Sequence, residues 1–201
     1  MAVLLTGANM PVMANFVSYL KFSQTQWFDT GVKGGNKIRV VVDCQAGSLD
    51  SGGTFPFGAR TSYSSAAFSA AVMPTQVFWN YGASYDFIDY ANPYERMTID
   101  AKANVAKFIG SQTVTCTLAA ATFTTASNII LGSSINDGTA YTGAAAWSGK
   151  IYSCQIYRDD VLIRDLRPCY DPSGSACMYD KVEKKYYYNQ GTGEFIAGGA
   201  A

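Results

Sequence analysis

Catalytic chemistry depends on a small set of side chains, and this sequence lacks several of them. The chain has 201 residues and no histidine, which excludes a histidine-based triad, a histidine zinc site and a histidine general base. Its three glutamates are Glu95, Glu183 and Glu194, and none has an acidic residue two positions away. A glycosidase strand would place its paired carboxylates at such alternating positions, so that both face one cleft. We therefore predict that the protein is not an enzyme.

The richest group of aromatic side chains lies at 77–86 and reads VFWNYGASYD. An aromatic ring can stack on the apolar face of a sugar while nearby polar groups bind its hydroxyls. We accordingly predict Trp79, Tyr81 and Tyr85 as ligand-binding residues. On a regular strand Trp79 and Tyr81 share one face, whereas Phe78 and Asn80 share the other, and only one face would be exposed. The alternative is that Trp79 and Tyr81 lie in the core or in a subunit interface.

Two places combine oxygen ligands in a way that could hold calcium, the one cofactor we consider possible. Asn136 and Asp137 lie in a loop that ends in glycine, and Asp86 and Asp89 lie three residues apart. A calcium site needs six to eight oxygens, usually several from carboxylates. The alternative for Asn136 and Asp137 is a turn whose side chains hydrogen-bond their own backbone. Asp86 and Asp89 would face opposite sides of a regular strand.

The charge balance argues against nucleic acid as a partner. Lys plus Arg equals Asp plus Glu, 15 against 15, so no overall field attracts nucleic acid. A Lys184–Lys185 pair is followed by three tyrosines whose rings could stack on single-stranded bases, but the neutral chain makes that partner the weaker interpretation.

No stretch approaches the roughly 18 apolar residues of a membrane span, and the first 20 residues carry no Lys or Arg. We therefore expect neither membrane insertion nor a secretory leader.

The five cysteines form no C-x-x-C pair. We expect buried, reduced thiols, as in proteins assembled in a reducing compartment. Cys169 and Cys177 flank a predicted hairpin turn, so the sequence leaves a disulfide between them open.

Period-two alternation of apolar and polar residues is the main structural signal. In residues 37–44 the side chains of Ile38, Val40, Val42 and Cys44 share one face, and residues 112–118 repeat the pattern. Turn sequences such as KGGN, DSGG and DPSG separate the strands. Many short strands of this kind predict an all-β, two-sheet antiparallel sandwich. The predicted core comprises Val40, Val42, Val114, Cys116, Leu118, Ile129 and Leu131.

Several motifs in fixed order resemble one known family. They are QWFDTG at 26–31, FGAR at 57–60, IILG at 129–132, SGKIYSCQIY at 148–157 and YYYNQGTGEF at 186–195. Together they resemble the laminin-G-like, concanavalin-A-like jelly-roll domain of Gram-positive bacterial surface proteins and bacteriophage virion proteins. The resemblance implies a jelly-roll domain over residues 16–201. Residues 1–15 lie before it, and they are apolar and uncharged.

The resemblance and the residues lead to one functional expectation and one alternative. We expect a non-enzymatic virion accessory protein, such as a capsid decoration, head-fibre or tail adhesion module, which binds other virion subunits or itself, with host-surface glycans as a further candidate ligand. It would be made in the host cytoplasm and act outside it. The alternative is a carbohydrate-binding module of a bacterial cell surface. A scaffold without a ligand is a third possibility. Residues 1–15 are predicted to dock on a neighbour or to complete a sheet edge, because an exposed apolar edge promotes aggregation.

Overall fold

The computed structural model describes residues 14–62, 65–136 and 138–201, and almost all of its regular structure is β. A single turn of 3-10 helix, Gly143–Ala145, is the helical part of the described chain. In chain order the strands are β1 (Asn15–Phe16), β2 (Leu20–Ser23), β3 (Phe28–Gly35), β4 (Ile38–Ala46), β5 (Thr54–Ser62), β6 (Ser65–Val72), β7 (Gln76–Gly82), β8 (Ser84–Asp89), β9 (Arg96–Lys102), β10 (Val105–Ile109), β11 (Thr113–Thr117), β12 (Thr124–Leu131), β13 (Ile135–Asn136), β14 (Thr139–Ala140), β15 (Ser148–Arg158), β16 (Val161–Tyr170), β17 (Ala176–Asp180), β18 (Lys185–Tyr187) and β19 (Ile196–Ala197).

The strands form two sheets packed face to face. The larger sheet runs β11-β10-β9-β4-β15-β16-β17-β18, with β2 paired to β15 and β19, and β1 paired to β16. The smaller sheet runs β14-β13-β5-β6-β7-β8, and β12 joins β3 to β5. Neighbouring strands are antiparallel, except that β13 lies parallel to β5. The two-sheet antiparallel sandwich predicted from the sequence is confirmed.

The core lies between the sheets and follows the predicted alternation. Every second residue of β4 is buried, from Ile38 to Ala46. Of the predicted core, the buried members are Val40, Val42, Cys116, Ile129 and Leu131. Val114 and Leu118 are half-buried and pack against this core, because β11 is the terminal strand of the larger sheet.

The smaller sheet is covered on its outer face as well. Phe55, Ala71, Met73 and Phe78 form a second apolar cluster there, with Tyr141 packed against it. The guanidinium of the buried Arg60 lies 4.8 Å from the centroid of the Phe55 ring, and its Nη2 donates to the Tyr141 hydroxyl at 2.7 Å. Strand β7 is therefore buried on both of its faces.

The end of the amino-terminal segment pairs with the larger sheet. Asn15 pairs with Tyr170 and Phe16 with Cys169. Asn15 therefore belongs to the sheet, although the sequence analysis assigned it to the segment 1–15 that precedes the domain. Residues 1–13 lie outside the described residues, and the predicted docking of that segment stays a prediction. In the described ranges no helix combines the length and the apolar character that crossing a bilayer would require.

All five cysteines are buried, and none is in a disulfide. Cys169 and Cys177 are direct cross-strand partners on β16 and β17. Their sulfur atoms lie 3.5 Å apart, which is hydrogen-bonding distance for two thiols. The pair therefore has the strand register of a cross-strand disulfide while both sulfurs remain thiols.

Candidate functional site

The predicted aromatic site is divided between the core and the surface. Trp79 and Tyr81 point between the sheets and are 0% and 1% exposed. The Tyr81 hydroxyl donates to the carbonyl of Ala121 at 2.8 Å. The prediction that Trp79 and Tyr81 contact a ligand is therefore corrected: both belong to the core, because the face of β7 that carries them packs against the larger sheet.

Tyr85, the third predicted residue, is on the surface. It is 54% exposed on the edge strand β8, next to Phe87, which is 41% exposed. Both rings pack on the buried Phe78, with centroids 5.9 Å and 4.9 Å from it. The Tyr85 and Phe87 rings meet edge to face at an interplanar angle of 80°. This small aromatic patch offers two rings that are not coplanar.

The predicted calcium ligands do not form a cluster among the described residues. Asp86 lies opposite Trp79 and Asp89 opposite Gln76, so the two carboxylates face opposite sides of β8. Asp86 accepts a hydrogen bond from the backbone N–H of Phe87, and Asp89 accepts one from the Gln76 amide. Asn136 ends β13, whereas Asp137 lies outside the described residues. Calcium at Asn136 and Asp137 stays a prediction.

A groove on the outer face of the larger sheet is a stronger candidate, with a volume of about 550 Å³. Strand β15 pairs with β4 along one side, and on the other side with β2 near its start and with β16 near its end. The groove lies beside this change of partner. Its lining residues are Phe16, Val17, Ser18, Asp43, Arg96, Tyr152, Ser153, Arg167, Pro168, Lys181 and Ala201.

A β-bulge sets the side chains at the centre of the groove. The register between β15 and β4 shifts between Ile151 and Ser153, which leaves Tyr152 as the extra residue. Bulges redirect side chains and are frequent next to binding sites. Here Tyr152 and Ser153 are both partly exposed between the buried Ile151 and Cys154, so two consecutive polar residues reach the outer face.

One wall of the groove is a fixed stack of Arg96 on Tyr152. The Arg96 guanidinium lies 3.9 Å from the centroid of the ring, and Asp43 accepts two hydrogen bonds from it, at 2.9 and 2.6 Å. These bonds to Asp43 raise the pKa of Arg96 above its ordinary value. The Tyr152 hydroxyl donates to Gln45 at 3.0 Å. The wall is therefore held in place by hydrogen bonds at both of its ends.

The other side of the groove carries two cations and an exposed ring. Arg167 donates from Nε to the carboxylate of Asp165 at 2.8 Å, and Asp165 is only 8% exposed. Lys181 follows β17, and its backbone N–H donates to the carbonyl of Asp165. Phe16 is 36% exposed and packs edge-on against Tyr179. The groove thus combines a ring with fixed hydrogen-bond donors and acceptors.

Comparisons with known proteins assign no family to the chain. No family model matches it, and no curated protein does. Among solved structures it is similar to the Ruminococcus gnavus IT-sialidase CBM40, at 15% identity and a TM-score of 0.49 over 71% of this chain and 90% of that one. A match at that level assigns neither a family nor a ligand.

Sequence reasoning missed the groove, although its residues are ordinary surface types. Asp43, Arg96 and Arg167 come from three strands far apart in the chain, and nothing local marks them as neighbours. One signal was present: charged residues alternate with the buried residues of β4 and β9, so Asp43 and Arg96 had to lie on the outer face of a sheet. Their pairing required the strand order.

Proposed function

We propose that this protein is a non-catalytic carbohydrate-binding module whose ligand lies in the groove around Tyr152. The observation that carries the proposal is the Asp43–Arg96–Tyr152 wall, a hydrogen-bonded stack that, together with the partly exposed Phe16, lines a groove of about 550 Å³. A volume of this size is typical of small-ligand sites.

The chemistry of the lining fits a sugar better than an apolar ligand. Sugar hydroxyls both donate and accept hydrogen bonds, and the groove supplies guanidinium donors at Arg96 and Arg167 and hydroxyls at Ser18 and Ser153. An aromatic ring packs well on the apolar face of a pyranose. Phe16 is the partly exposed ring available for this contact. Because the wall is already fixed by its own hydrogen bonds, little side-chain entropy would be lost on binding.

Binding without hydrolysis is the form of the proposal that the carboxylates favour. Hydrolysis of a glycosidic bond usually needs two carboxylates that contact the sugar from opposite sides. Asp43 is the acidic side chain that lines the groove, and both of its oxygens accept bonds from Arg96. Incubation with glycans should therefore release no reducing ends.

The setting in which the module acts is predicted from the sequence alone. A virion accessory role, with other virion subunits or further copies of the chain as partners, stays a prediction, since the segment expected to dock lies mostly outside the described residues. A groove that binds surface glycans would serve a virion adhesin and a bacterial cell-surface module equally well. The geometry favours the glycan-binding part that the two readings share.

The test is a glycan array followed by calorimetry on the glycans that bind. We expect Phe16→Ala to weaken the affinity by about tenfold or more, because the stacking contact is lost. The matched control is Tyr94→Ala, which removes a ring that is 50% exposed outside the groove and should leave binding unchanged. The proposal fails if no glycan binds or if Phe16→Ala binds as tightly as the parent. A loss with Tyr85→Ala instead would move the site to the smaller sheet.

A further inference from the structure

Two lysines that carry uncompensated charge lie on neighbouring strands of the larger sheet. Lys21 and Lys150 lie directly opposite each other on β2 and β15, and like charges in that arrangement repel. Neither forms an ion pair within the described ranges. The Lys150 ammonium instead lies 4.6 Å from the centroid of the Tyr19 ring. Since Tyr19 packs edge-on against Tyr152, this uncompensated charge adjoins the groove.

Arg167 presents an unused edge of its guanidinium to the groove. Its Nε is bonded to Asp165, and neither terminal nitrogen donates to any described residue. Asp165 is nearly buried and accepts a second, longer bond from Gln155, so it fixes the orientation of Arg167 as a positioning residue. Two parallel N–H groups held in this way match the two oxygens of a carboxylate.

Lys181 adds a second cation on the same side. It lines the groove with Arg167, and its ammonium has no ion pair within the described chain. The acidic residue in the lining, Asp43, is already bonded to Arg96. Together, the charges that remain uncompensated in and beside the groove are positive. A neutral sugar would leave them unused.

We propose that the ligand of the groove is an acidic glycan, in which a carboxylate such as that of a uronate sugar is bound by Arg167 and Lys181. This inference rests on the proposed function and names the ligand class of the same site. The free edge of Arg167 can bind two oxygens of one carboxylate at once. A sulfate ester offers oxygens to the same edge, so a sulfated polymer is included in the test below. The repulsion between Lys21 and Lys150 would also be relieved by the approach of an anionic chain.

The experiment compares two probes that differ in the charge of each carboxyl group and in the one methyl group that removes it. Galacturonate hexamers are titrated by calorimetry with their carboxylates free and, separately, as methyl esters, and alginate hexamers extend the test to other uronates. We expect a free-acid form to bind at least about tenfold more tightly than its ester, with an affinity that falls as salt increases. Dextran sulfate serves as a polyanion without carboxylates and should bind more weakly.

Variants test the assigned residues. Arg167→Ala should weaken free-acid binding by about tenfold or more, the effect expected when a hydrogen-bonded charge pair is lost. Arg167→Lys keeps the charge and removes the two-pronged edge, so it should still lose several-fold. Lys181→Ala should lose a few-fold. Its control is Lys33→Ala, which changes an exposed lysine of the smaller sheet that has no ion pair among the described residues and should leave the affinity unchanged. Melting temperatures check that each variant is folded.

The outcomes separate this inference from the proposed function. If a neutral glycan binds through Phe16 and no uronate binds more tightly than its ester, the acidic-ligand inference is wrong while the glycan-binding site stands. Equal binding of dextran sulfate, with no loss in Arg167→Lys, would show an unspecific cationic surface and also overturn the inference. If neither neutral nor acidic glycans bind, both proposals fail.

Discussion

Phe195 should be a major source of stability, although it lies in the mostly irregular carboxyl-terminal segment. Its ring is stacked on Phe28 with centroids 4.7 Å apart and an interplanar angle of 13°, and it meets Phe22 edge-on at 4.8 Å. Phe22 and Phe28 are themselves in edge contact at 5.9 Å. Phe195 is 8% exposed, so replacing it with alanine would open a cavity between the two sheets.

Phe195→Ala should lower the free energy of unfolding by about 3 kcal/mol. Truncation of a buried phenylalanine costs about 3–5 kcal/mol, and the slight exposure of this ring places it at the lower end. For a chain of this size the melting temperature should fall by about 6–12 °C. Urea unfolding followed by fluorescence and a thermal scan by circular dichroism measure both quantities. The matched control is Ile196→Ala next to it, which is 59% exposed and should change the free energy by no more than about 0.5 kcal/mol.

A loss below about 1 kcal/mol in Phe195→Ala, or an equal loss in Ile196→Ala, would refute the reasoning. The first result would mean that the Phe22–Phe28 pair closes over the cavity without help. The second would mean that the exposed Ile196 side chain contributes as much as the buried ring, so that burial would not explain the loss.

Three further predictions follow from the burial of single groups. Trp79→Ala should lower the free energy of unfolding by about 3–5 kcal/mol, and Tyr85→Ala by about 0.5 kcal/mol or less. Similar urea midpoints for the two variants would contradict the assignment of Trp79 to the core. Burial raises the pKa of Cys116 to about 11. A disulfide reagent at pH 7.5 should therefore label this thiol only as fast as the protein unfolds, and rapid labelling of the folded protein would contradict this prediction. Arg164→Ala should lower the free energy of unfolding by about 3 kcal/mol in a urea titration, because it leaves the buried Asp180 carboxylate, 3.6 Å from the arginine, without its cation. A change near zero would show that the backbone donors of Asp180 suffice.

The sequence predicted the fold well because its main signal is local. Alternation in residues 37–44 reports directly on which side of β4 meets the core, and the structure confirms it. The same rule could not decide Trp79 against Phe78. Both sides of β7 are buried, one by the larger sheet and the other by the cluster around Phe55. A strand that is covered twice has no polar face from which the inner one could be identified.

The groove could not be predicted because it depends on two features that have no local signature. The first is the bulge at Tyr152, which adds one residue to β15 without a glycine or proline at that position. The second is the order of the strands, which brings Arg96 of β9 over a ring of β15 although β4 lies between them. Once both are known, the charged side chains that line the groove can be identified. A chain with equal numbers of acidic and basic residues needs no polyanion to balance its total, yet Arg167 and Lys181 both line this groove, and its acidic residue Asp43 is already bonded to Arg96. Net charge therefore does not by itself exclude an anionic partner, because a local surplus depends on which charges are already paired with each other.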